Sequence, residues 1–250
     1  MGVTRREAVA LGAALAGAAA LGTGAEAARR RRVVVWAEGT AKSDFYPRDV
    51  NGAIADGLKP LRGWDVVTAG IDDPEQGLPD SLLNSADVLI WWGHKRHGDV
   101  SDALVERIVR RVQKDGMGFI ATHSSHFAKP FQKVLGASGA WSNYDGDGSK
   151  LEVIVTAPKH PIARGVRNFV CPHTERYCEP FQVPAPEAVV FDGIFTRPDG
   201  TTEHSRHGLT WTRGKGRVFY FQVGHEEYPM YLQPEVQRIF RNAVEWAAPK

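Results

Sequence analysis

The sequence predicts an α/β fold in which helices cover both faces of a parallel sheet. Short, continuous apolar runs are the main observation, and they occupy residues 33–36, 65–68, 87–92 and 118–122. Continuous rather than alternating apolar runs are typical of parallel strands that are buried on both faces. Helical patterns separate these runs, and strand–helix–strand order at such lengths implies right-handed crossover units.

The helix between the third and fourth runs has the clearest pattern. Ser101 is suited to the N-cap position, and Asp102 places a negative charge in the first turn. Gly116 can end the helix. The buried stripe at helical spacing consists of Leu104, Val105, Ile108, Val109 and Val112.

The remaining elements follow from shorter signals. A helix is predicted over 49–59 and a strand over 150–156. Two strands, 209–213 and 217–223, are separated by a Gly-Lys-Gly turn and predict a β-hairpin. A final helix begins near Pro234, because proline suits the first helical position.

The first 27 residues predict a twin-arginine signal peptide. Arg5 and Arg6 precede an apolar run over 8–21, and Ala25-Glu26-Ala27 has a small-x-small cleavage pattern. A membrane anchor is the alternative, but a spanning helix needs ~20 apolar residues and this run is shorter. We therefore expect export to the periplasm or the exterior, no membrane span, and one mature domain over 28–250.

Charge and cysteine content bear on two questions, namely whether the chain binds nucleic acid and whether it forms a disulfide. The net charge is +2, and without the run Arg29–Arg32 it falls by four to −2, so the basic character belongs to the N-terminal stub. A nucleic-acid partner needs a basic face on the fold itself, and none is predicted. Cys171 and Cys178 could form a disulfide in an oxidising compartment, but their spacing does not decide it.

Histidines and acids follow the predicted strands at the point where each strand ends. In an open parallel sheet, ligands bind beyond these carboxyl ends. A single strand-end histidine is more often structural, but side chains that converge from separate strands can hold a divalent cation such as Zn²⁺. We take His94, His123 and His225 as the candidate metal ligands. The full set of strand-end residues is Glu38, His94, His97, His123, His126, His225 and Glu226.

Acids and aromatic side chains predict carbohydrate chemistry near the same edge. The loop 171–181 holds Glu175, Tyr177 and Glu179. Carboxylates with tuned pKa values act as acid and base in sugar chemistry, so Glu175 and Glu226 are the candidate catalytic acids and bases. Flat apolar rings stack on sugar faces, and Trp141 is one loop residue that could do so. The predicted substrate-binding residues are Glu38, Tyr46, His97, His126, Tyr177 and Tyr228.

Two common catalytic motifs are absent. Ser124 and Ser125 lie beside histidines, but they lack the flanking glycines of a G-x-S-x-G nucleophile elbow. No G-x-x-x-x-G-K-[ST] or G-x-G-x-x-G loop follows the first strand, so no phosphate-binding loop is predicted.

Six segments, taken together, resemble the trehalose-utilisation (ThuA-like) family. They appear in order and extend from about Val33 to Trp246. The segments that start at His123 and at Gly224 are the most specific. The six are Val34-Val35-Trp36-Ala37-Glu38, Trp91-Trp92-Gly93-His94, His123-Ser124-Ser125-His126-Phe127-Ala128-Lys129-Pro130-Phe131, His160-Pro161-Ile162-Ala163, Glu175-Arg176-Tyr177-Cys178-Glu179-Pro180-Phe181 and Gly224-His225-Glu226-Glu227-Tyr228-Pro229.

The resemblance implies a flavodoxin-like sheet of the class I glutamine amidotransferase kind, to which the predicted hairpin is added. Those amidotransferases carry a cysteine at an elbow after a central strand, whereas this sequence has His123 near that place and no cysteine nearby. The resemblance therefore implies catabolism of trehalose or a related disaccharide, including 3-keto sugars, and not amidotransferase chemistry. Some similar proteins bind metal, which agrees with the strand-end histidines.

Three functional hypotheses remain. The first is a metal-dependent enzyme, in which Glu179 could add to the histidine ligands. The second is a non-catalytic protein that binds a saccharide. The third is a metal-independent hydrolase that uses Glu175 and Glu179, but on an extended segment these two lie too far apart to face one glycosidic bond. The sequence does not decide the oligomeric state, and a homo-oligomer is compatible with it.

Overall fold

The computed structural model describes residues 29–250, so the predicted signal peptide lies outside the described residues. Nine strands form one mixed sheet in the order β2-β1-β3-β4-β11-β10-β9-β6-β7, and β5 pairs with β8 in a small separate sheet. The strands are β1 Arg31–Ala37, β2 Trp64–Gly70, β3 Val88–Trp92, β4 Gly118–Thr122, β5 Asn143–Asp145, β6 Lys150–Val155, β7 Phe169–Cys171, β8 Arg176–Cys178, β9 Ala188–Thr196, β10 Thr202–Arg213 and β11 Gly216–Phe221. The helices are α1 Asp49–Leu58, α2 Asp80–Ser85, α3 Asp102–Gln113, α4 Lys129–Leu135 and α5 Pro234–Ala247.

One half of the large sheet is parallel, as the apolar runs predict. β2, β1, β3, β4 and β11 pair side by side in the same direction. Alternate residues of β1 point to opposite faces, so Val33 and Val35 pack in one buried cluster with α1 and α5. Val34 and Trp36 pack in the other, with α2, α3 and α4. Helices therefore cover both faces, and the predicted fold class is confirmed.

The predicted hairpin is present and links the two halves of the sheet. β10 and β11 are antiparallel, and Gly214, with a φ of 60°, lies in the turn between them. β11 then returns to pair with β4 in parallel. Beyond β10 the sheet continues through the antiparallel strands β9, β6 and β7. Of this extension the sequence predicts only β6, so the sheet is larger and more mixed than expected.

Helix α3 begins and ends as its sequence predicts. The Ser101 hydroxyl accepts a hydrogen bond from the Leu104 amide at 3.3 Å, which makes Ser101 the N-cap. Gly116 adopts a φ of 86° shortly after the last helical turn.

The cap predicts a measurable stability effect. Replacing Ser101 with Ala should lower the free energy of unfolding by about 1 kcal/mol, because one amide of the first turn loses its acceptor. At this chain length the melting temperature should fall by about 2–4 °C. Ser101→Asp keeps a capping oxygen and should retain the melting temperature. Equal losses in the two variants would show that the cap does not stabilise the helix.

Both cysteines are buried free thiols. Burial raises the pKa of Cys171 to about 12. The Cys178 sulfur accepts a hydrogen bond from Arg176 at 2.7 Å. Within residues 29–250, no helix combines the length and the apolar character that a membrane crossing requires.

Candidate functional site

Three histidines meet at the carboxyl edge of the parallel strands. His94 follows β3, His123 follows β4, and His225 follows β11. The ring centroids lie 5.7 Å apart for His94 and His123, 5.6 Å for His94 and His225, and 5.4 Å for His123 and His225. The structure thus brings together the three side chains that the sequence proposes as metal ligands.

His123 occupies a strained elbow directly after β4. Its φ is 54°, in the left-handed region that few non-glycine residues adopt. The Tyr220 hydroxyl donates to the His123 carbonyl at 2.9 Å, and His123 Nδ1 donates to the Gln222 carbonyl at 3.3 Å. Because Nδ1 carries the proton, Nε2 of this fully buried ring has a free lone pair.

Glu175 places a carboxylate oxygen beside His123. Its Oε2 lies 3.1 Å from His123 Nε2 and accepts a hydrogen bond from the Tyr177 hydroxyl at 2.7 Å. His123 Nε2 nevertheless has no hydrogen-bond partner, so the contact lacks hydrogen-bond geometry. His123 Nε2 and Glu175 Oε2 both carry free lone pairs, and two such atoms at this distance could bind one cation between them. One donor atom each from His94, His123 and Glu175 lies within 4.8 Å of the others.

The charge state of Glu175 suits a cation. Burial raises the pKa of this carboxyl, but contacts with His123 and Tyr177 outweigh burial and lower the pKa to about 2. The carboxylate is therefore ionised at neutral pH. Two imidazoles and one carboxylate form a donor set that zinc accepts in proteins.

His94 is held from two sides. Its Nδ1 contacts the Ser124 hydroxyl, so Nε2 is the ring nitrogen available to a ligand. The backbone amides of His94, Lys95 and Arg96 all donate to Glu38 Oε2, at 2.8, 2.8 and 3.0 Å. Glu38 is 1% exposed. The contacts of Glu38 anchor the loop that carries His94. The sequence instead predicts that Glu38 contacts the substrate.

His225 has a different hydrogen-bonding role from the other two. Its Nδ1 accepts a hydrogen bond from the Glu227 amide at 2.9 Å. Burial, together with His123, lowers the pKa of His225 to about 4, so the ring is neutral at pH 7. A neutral ring whose Nδ1 accepts must carry its proton on Nε2. In this arrangement His225 is a hydrogen-bond donor, and Glu175 replaces it as the third candidate metal ligand.

A cavity of about 490 Å³ opens onto His94 and Glu175. Five residues that the sequence proposes lie in its wall, together with Trp141. Sequence reasoning did not select Phe127 and Tyr144, whose large rings are 52% and 67% exposed. Phe127 lies within the family-specific segment that starts at His123, and this membership could have marked it as a candidate site residue. The lining residues are His94, His97, Ser124, His126, Phe127, Ala140, Trp141, Tyr144, Glu175 and Tyr177.

Besides Glu38, His123 and His225, three further proposed residues lie outside this wall. Tyr46 is 1% exposed and packs in the core beside Tyr231, with its hydroxyl donating to the Tyr228 carbonyl. Its position in a loop suggested a sugar contact, but its buried ring offers no face to a ligand. Glu226 is 2% exposed and binds Lys95 and the Thr40 hydroxyl. Tyr228 is half-buried and packs against His225 at 4.7 Å between ring centroids.

Glu179 belongs to a separate ion pair. Arg206 donates to its two carboxylate oxygens at 2.8 and 3.0 Å. Glu175 instead contacts His123 and Tyr177. The two acids share no partner among residues 29–250, which argues against a paired acid and base. Glu179 also falls outside the group of side chains that could hold a metal ion.

Comparison with protein families assigns the chain. The family model described as ThuA, trehalose utilisation, matches residues 32–247. The chain belongs to the ThuA family. This match confirms the resemblance expected from the six segments, and membership supports a carbohydrate-related role. A comparison with curated proteins found no match.

Solved structures share the fold of this ThuA-family chain at low sequence identity. A ThuA-like protein from Parabacteroides merdae is 12% identical, with a TM-score of 0.61 over 87% of this chain and 89% of that one. A cytoplasmic protein from Salmonella typhimurium is 14% identical, with a TM-score of 0.61 over 87% and 99%. A Thermoplasma acidophilum protein described as part of a GMP synthase is 14% identical, with a TM-score of 0.52 over 86% and 93%. The expected glutamine amidotransferase-like fold is thereby confirmed.

The elbow after β4 of this ThuA-family chain carries an imidazole and not a thiol. His123 stands directly after β4, where the resemblance placed the amidotransferase cysteine. The cavity wall among residues 29–250 contains no cysteine. The groups that could perform chemistry there are imidazoles, one carboxylate and hydroxyls.

Proposed function

We propose that this protein is an exported, metal-dependent enzyme that acts on trehalose or a related disaccharide, including a keto-sugar. The cation, with zinc as the first choice, is held by His94, His123 and Glu175. The observation that carries the proposal is the buried, unpartnered Nε2 of His123 beside Glu175, whose side chain lines the cavity. A buried polar atom without a partner costs free energy, and a bound cation would remove that cost.

Neighbouring groups keep the donor atoms in place. The Gln222 carbonyl orients the His123 ring, and the Tyr177 hydroxyl orients the Glu175 carboxylate. Ser124 contacts Nδ1 of His94. Such outer contacts fix the tautomer and direction of metal ligands. When bound, zinc would act as a Lewis acid that polarises a carbonyl or hydroxyl oxygen of the sugar.

The rest of the cavity suits a sugar. Phe127 and Tyr144 present exposed rings on which a sugar face can stack. His126 Nδ1 donates to the Gly139 carbonyl at 2.6 Å, so its Nε2 can accept a hydrogen bond from a sugar hydroxyl. The cavity thus offers stacking surfaces and an acceptor, which together can orient a polyhydroxylated ligand.

Export is supported by the first 27 residues. The twin-arginine route carries folded proteins, so a cation could be bound before transport. Cell fractionation followed by N-terminal sequencing tests this part of the proposal. We expect a mature protein in the periplasm or medium that begins near Ala28. A full-length protein confined to the cytoplasm would contradict it.

Metal content tests the enzyme proposal. We expect inductively coupled plasma mass spectrometry to find about one equivalent of zinc or another transition metal, removable by chelation. Glu175→Gln should lose most of this metal, because the amide replaces a charged ligand. Glu179→Gln is the matched control, since it removes a carboxylate from the same loop outside the donor set.

Two outcomes would contradict this assignment. Equal metal loss in both variants would show that the loop, and not the Glu175 ligand, controls binding. Absence of metal even after reconstitution would favour the non-catalytic saccharide-binding protein, which should then bind disaccharides without turnover.

A further inference from the structure

Glu38 and His97 form a pair whose facing atoms are buried and have no hydrogen-bond partners. Glu38 Oε2 accepts three backbone amides, but Oε1 accepts none. His97 Nδ1 lies 3.8 Å from Oε1 and is also buried without a partner. His97 itself belongs to the cavity wall. The pair therefore links a buried carboxylate to the site through one imidazole.

The position of Glu38 favours one tautomer of His97. A lone pair on Nδ1 would face the lone pairs of a buried carboxylate, whereas a proton on Nδ1 gives Glu38 Oε1 its missing donor. The 3.8 Å separation is longer than a hydrogen bond. Hydrogen bonds of catalytic groups are often long in ligand-free proteins and shorten when substrate binds. With the proton on Nδ1, Nε2 is the basic nitrogen of this ring.

A second histidine in the wall shows what Glu38 adds. His126 also carries its proton on Nδ1, but its partner is the neutral carbonyl of Gly139. Burial lowers the pKa of His126 to about 3, so this ring stays neutral. Burial also lowers the pKa of His97, but there the Glu38 carboxylate opposes it. Of these two rings, only His97 has a carboxylate facing its Nδ1.

The two acids first considered as bases are already engaged. Glu175 contacts His123 and Tyr177 within the donor set. Glu226 binds Lys95 and Thr40 and lies outside the cavity wall. A general base for this site therefore has to come from another residue of the wall.

We propose that His97 is the general base of this site and that Glu38 is its positioning residue. This inference rests on the proposed function, because it assigns a role in that reaction. His97 Nε2 takes the proton of a hydroxyl group held in the cavity. The O–H bond breaks and its electron pair stays on oxygen, while an N–H bond forms and the imidazolium is paired with the Glu38 carboxylate. No proton passes to Glu38 in this step.

Glu38→Gln is a sharp test because the loop fixes the orientation of the new amide. Three backbone amides need an acceptor at the Oε2 position, so the glutamine oxygen should lie there. The NH₂ group then faces His97 Nδ1, and the proton of the ring should move to Nε2. The same replacement logic applies to an aspartate behind a catalytic histidine, where the wrong tautomer lowers kcat by about 10⁴.

The first readout is the tautomer, which needs neither metal nor substrate. Two-bond ¹H–¹⁵N correlation spectra of the full chain identify the protonated nitrogen, and His97→Gln assigns the signal. We expect the proton on Nδ1 in the parent protein and on Nε2 in Glu38→Gln. A parent protein with the proton on Nε2, or a Glu38→Gln variant with no change, would overturn the proposal.

The second readout is turnover of trehalose or its 3-keto derivative. His97→Gln and Glu38→Gln should each lower kcat by about 10²–10⁴ with little change in KM. The double variant should lose no more than His97→Gln alone, because both remove one function. His126→Gln is the matched control and should raise KM instead. An equal kcat loss in His126→Gln, or additive losses in the double variant, would overturn the proposal.

The two proposals fail in different ways. Absence of metal would contradict the proposed metal-dependent function, but it would not change the measured tautomer of His97. A proton on Nε2 of His97 together with normal metal content would contradict only the roles proposed for His97 and Glu38.

Discussion

Replacing His123 with Asn should lower the affinity for zinc by at least about 100-fold, because loss of an outer contact alone costs about 10–100-fold and this change removes a ligand. Asn is chosen because His123 has a φ of 54°, and Asn tolerates this left-handed conformation better than Ala does. The backbone carbonyl that binds Tyr220 is kept. The variant should therefore separate loss of the ligand from loss of the elbow.

The measurement is a zinc titration by calorimetry on chelated protein, with melting curves recorded in the presence of chelator. His204→Asn is the matched control, since the His204 side chain is 67% exposed and lies outside the donor set. We expect the control to bind zinc as the parent protein does. Unchanged zinc affinity in His123→Asn would remove His123 from the site and with it the proposed cation.

Replacing Gly224 with Ala should lower the free energy of unfolding by about 2–5 kcal/mol, because backbone strain and overpacking act together. A Cβ at this position would lie 2.0 Å from the Tyr231 hydroxyl and 3.0 Å from His123 Cβ. Its φ of 152° also disfavours a side chain. Tyr231 cannot move aside easily, because its fully buried ring packs against Tyr46 and Phe240.

Urea unfolding of metal-free protein checks this prediction. Gly146→Ala is the control, because a Cβ there would meet no atom within 4 Å and its φ is not in the left-handed region. It should change the free energy of unfolding by less than about 1 kcal/mol, as open surface positions do. Equal effects of the two substitutions would show that the elbow can repack around a side chain at position 224.

Local patterns made the parallel half of the fold predictable. The apolar runs that became β1, β3 and β4 are continuous because both faces of these strands are covered, and this is visible in any short window. β9 carries no such signal, because its buried residues alternate with half-buried ones and it follows a proline-rich stretch. β5, β7 and β8 have three residues each, which is too short for periodicity to identify.

The candidate site was predictable only where it depends on strand order. His94, His123 and His225 follow strands, so the edge at which they meet could be inferred from the sheet. Glu175 comes directly before β8, and its distance to His123 depends on the small sheet that β5 and β8 form. Tyr46 shows the opposite limit, since a loop position in sequence does not tell whether a ring is buried.

Hydrogen-bond direction could not be inferred from residue types. His225 and His123 look alike in sequence, but Nδ1 accepts from an amide in the first and donates to a carbonyl in the second. These roles depend on the backbone path of a few neighbouring residues. The distinction between a ligand and a donor therefore required coordinates.

The position of β11 has a consequence for how the chain folds. β11 is the last strand in sequence, yet it is the middle strand of the nine-stranded sheet, between β4 and β10. Until residues 216–221 have left the ribosome, the edge of β4 has no partner and the two halves of the sheet cannot join. Such late, non-local pairing is expected to make folding slow. Gln222 and Tyr220, which hold His123, also arrive at this stage, so a nascent chain acquires its site only when synthesis is nearly complete.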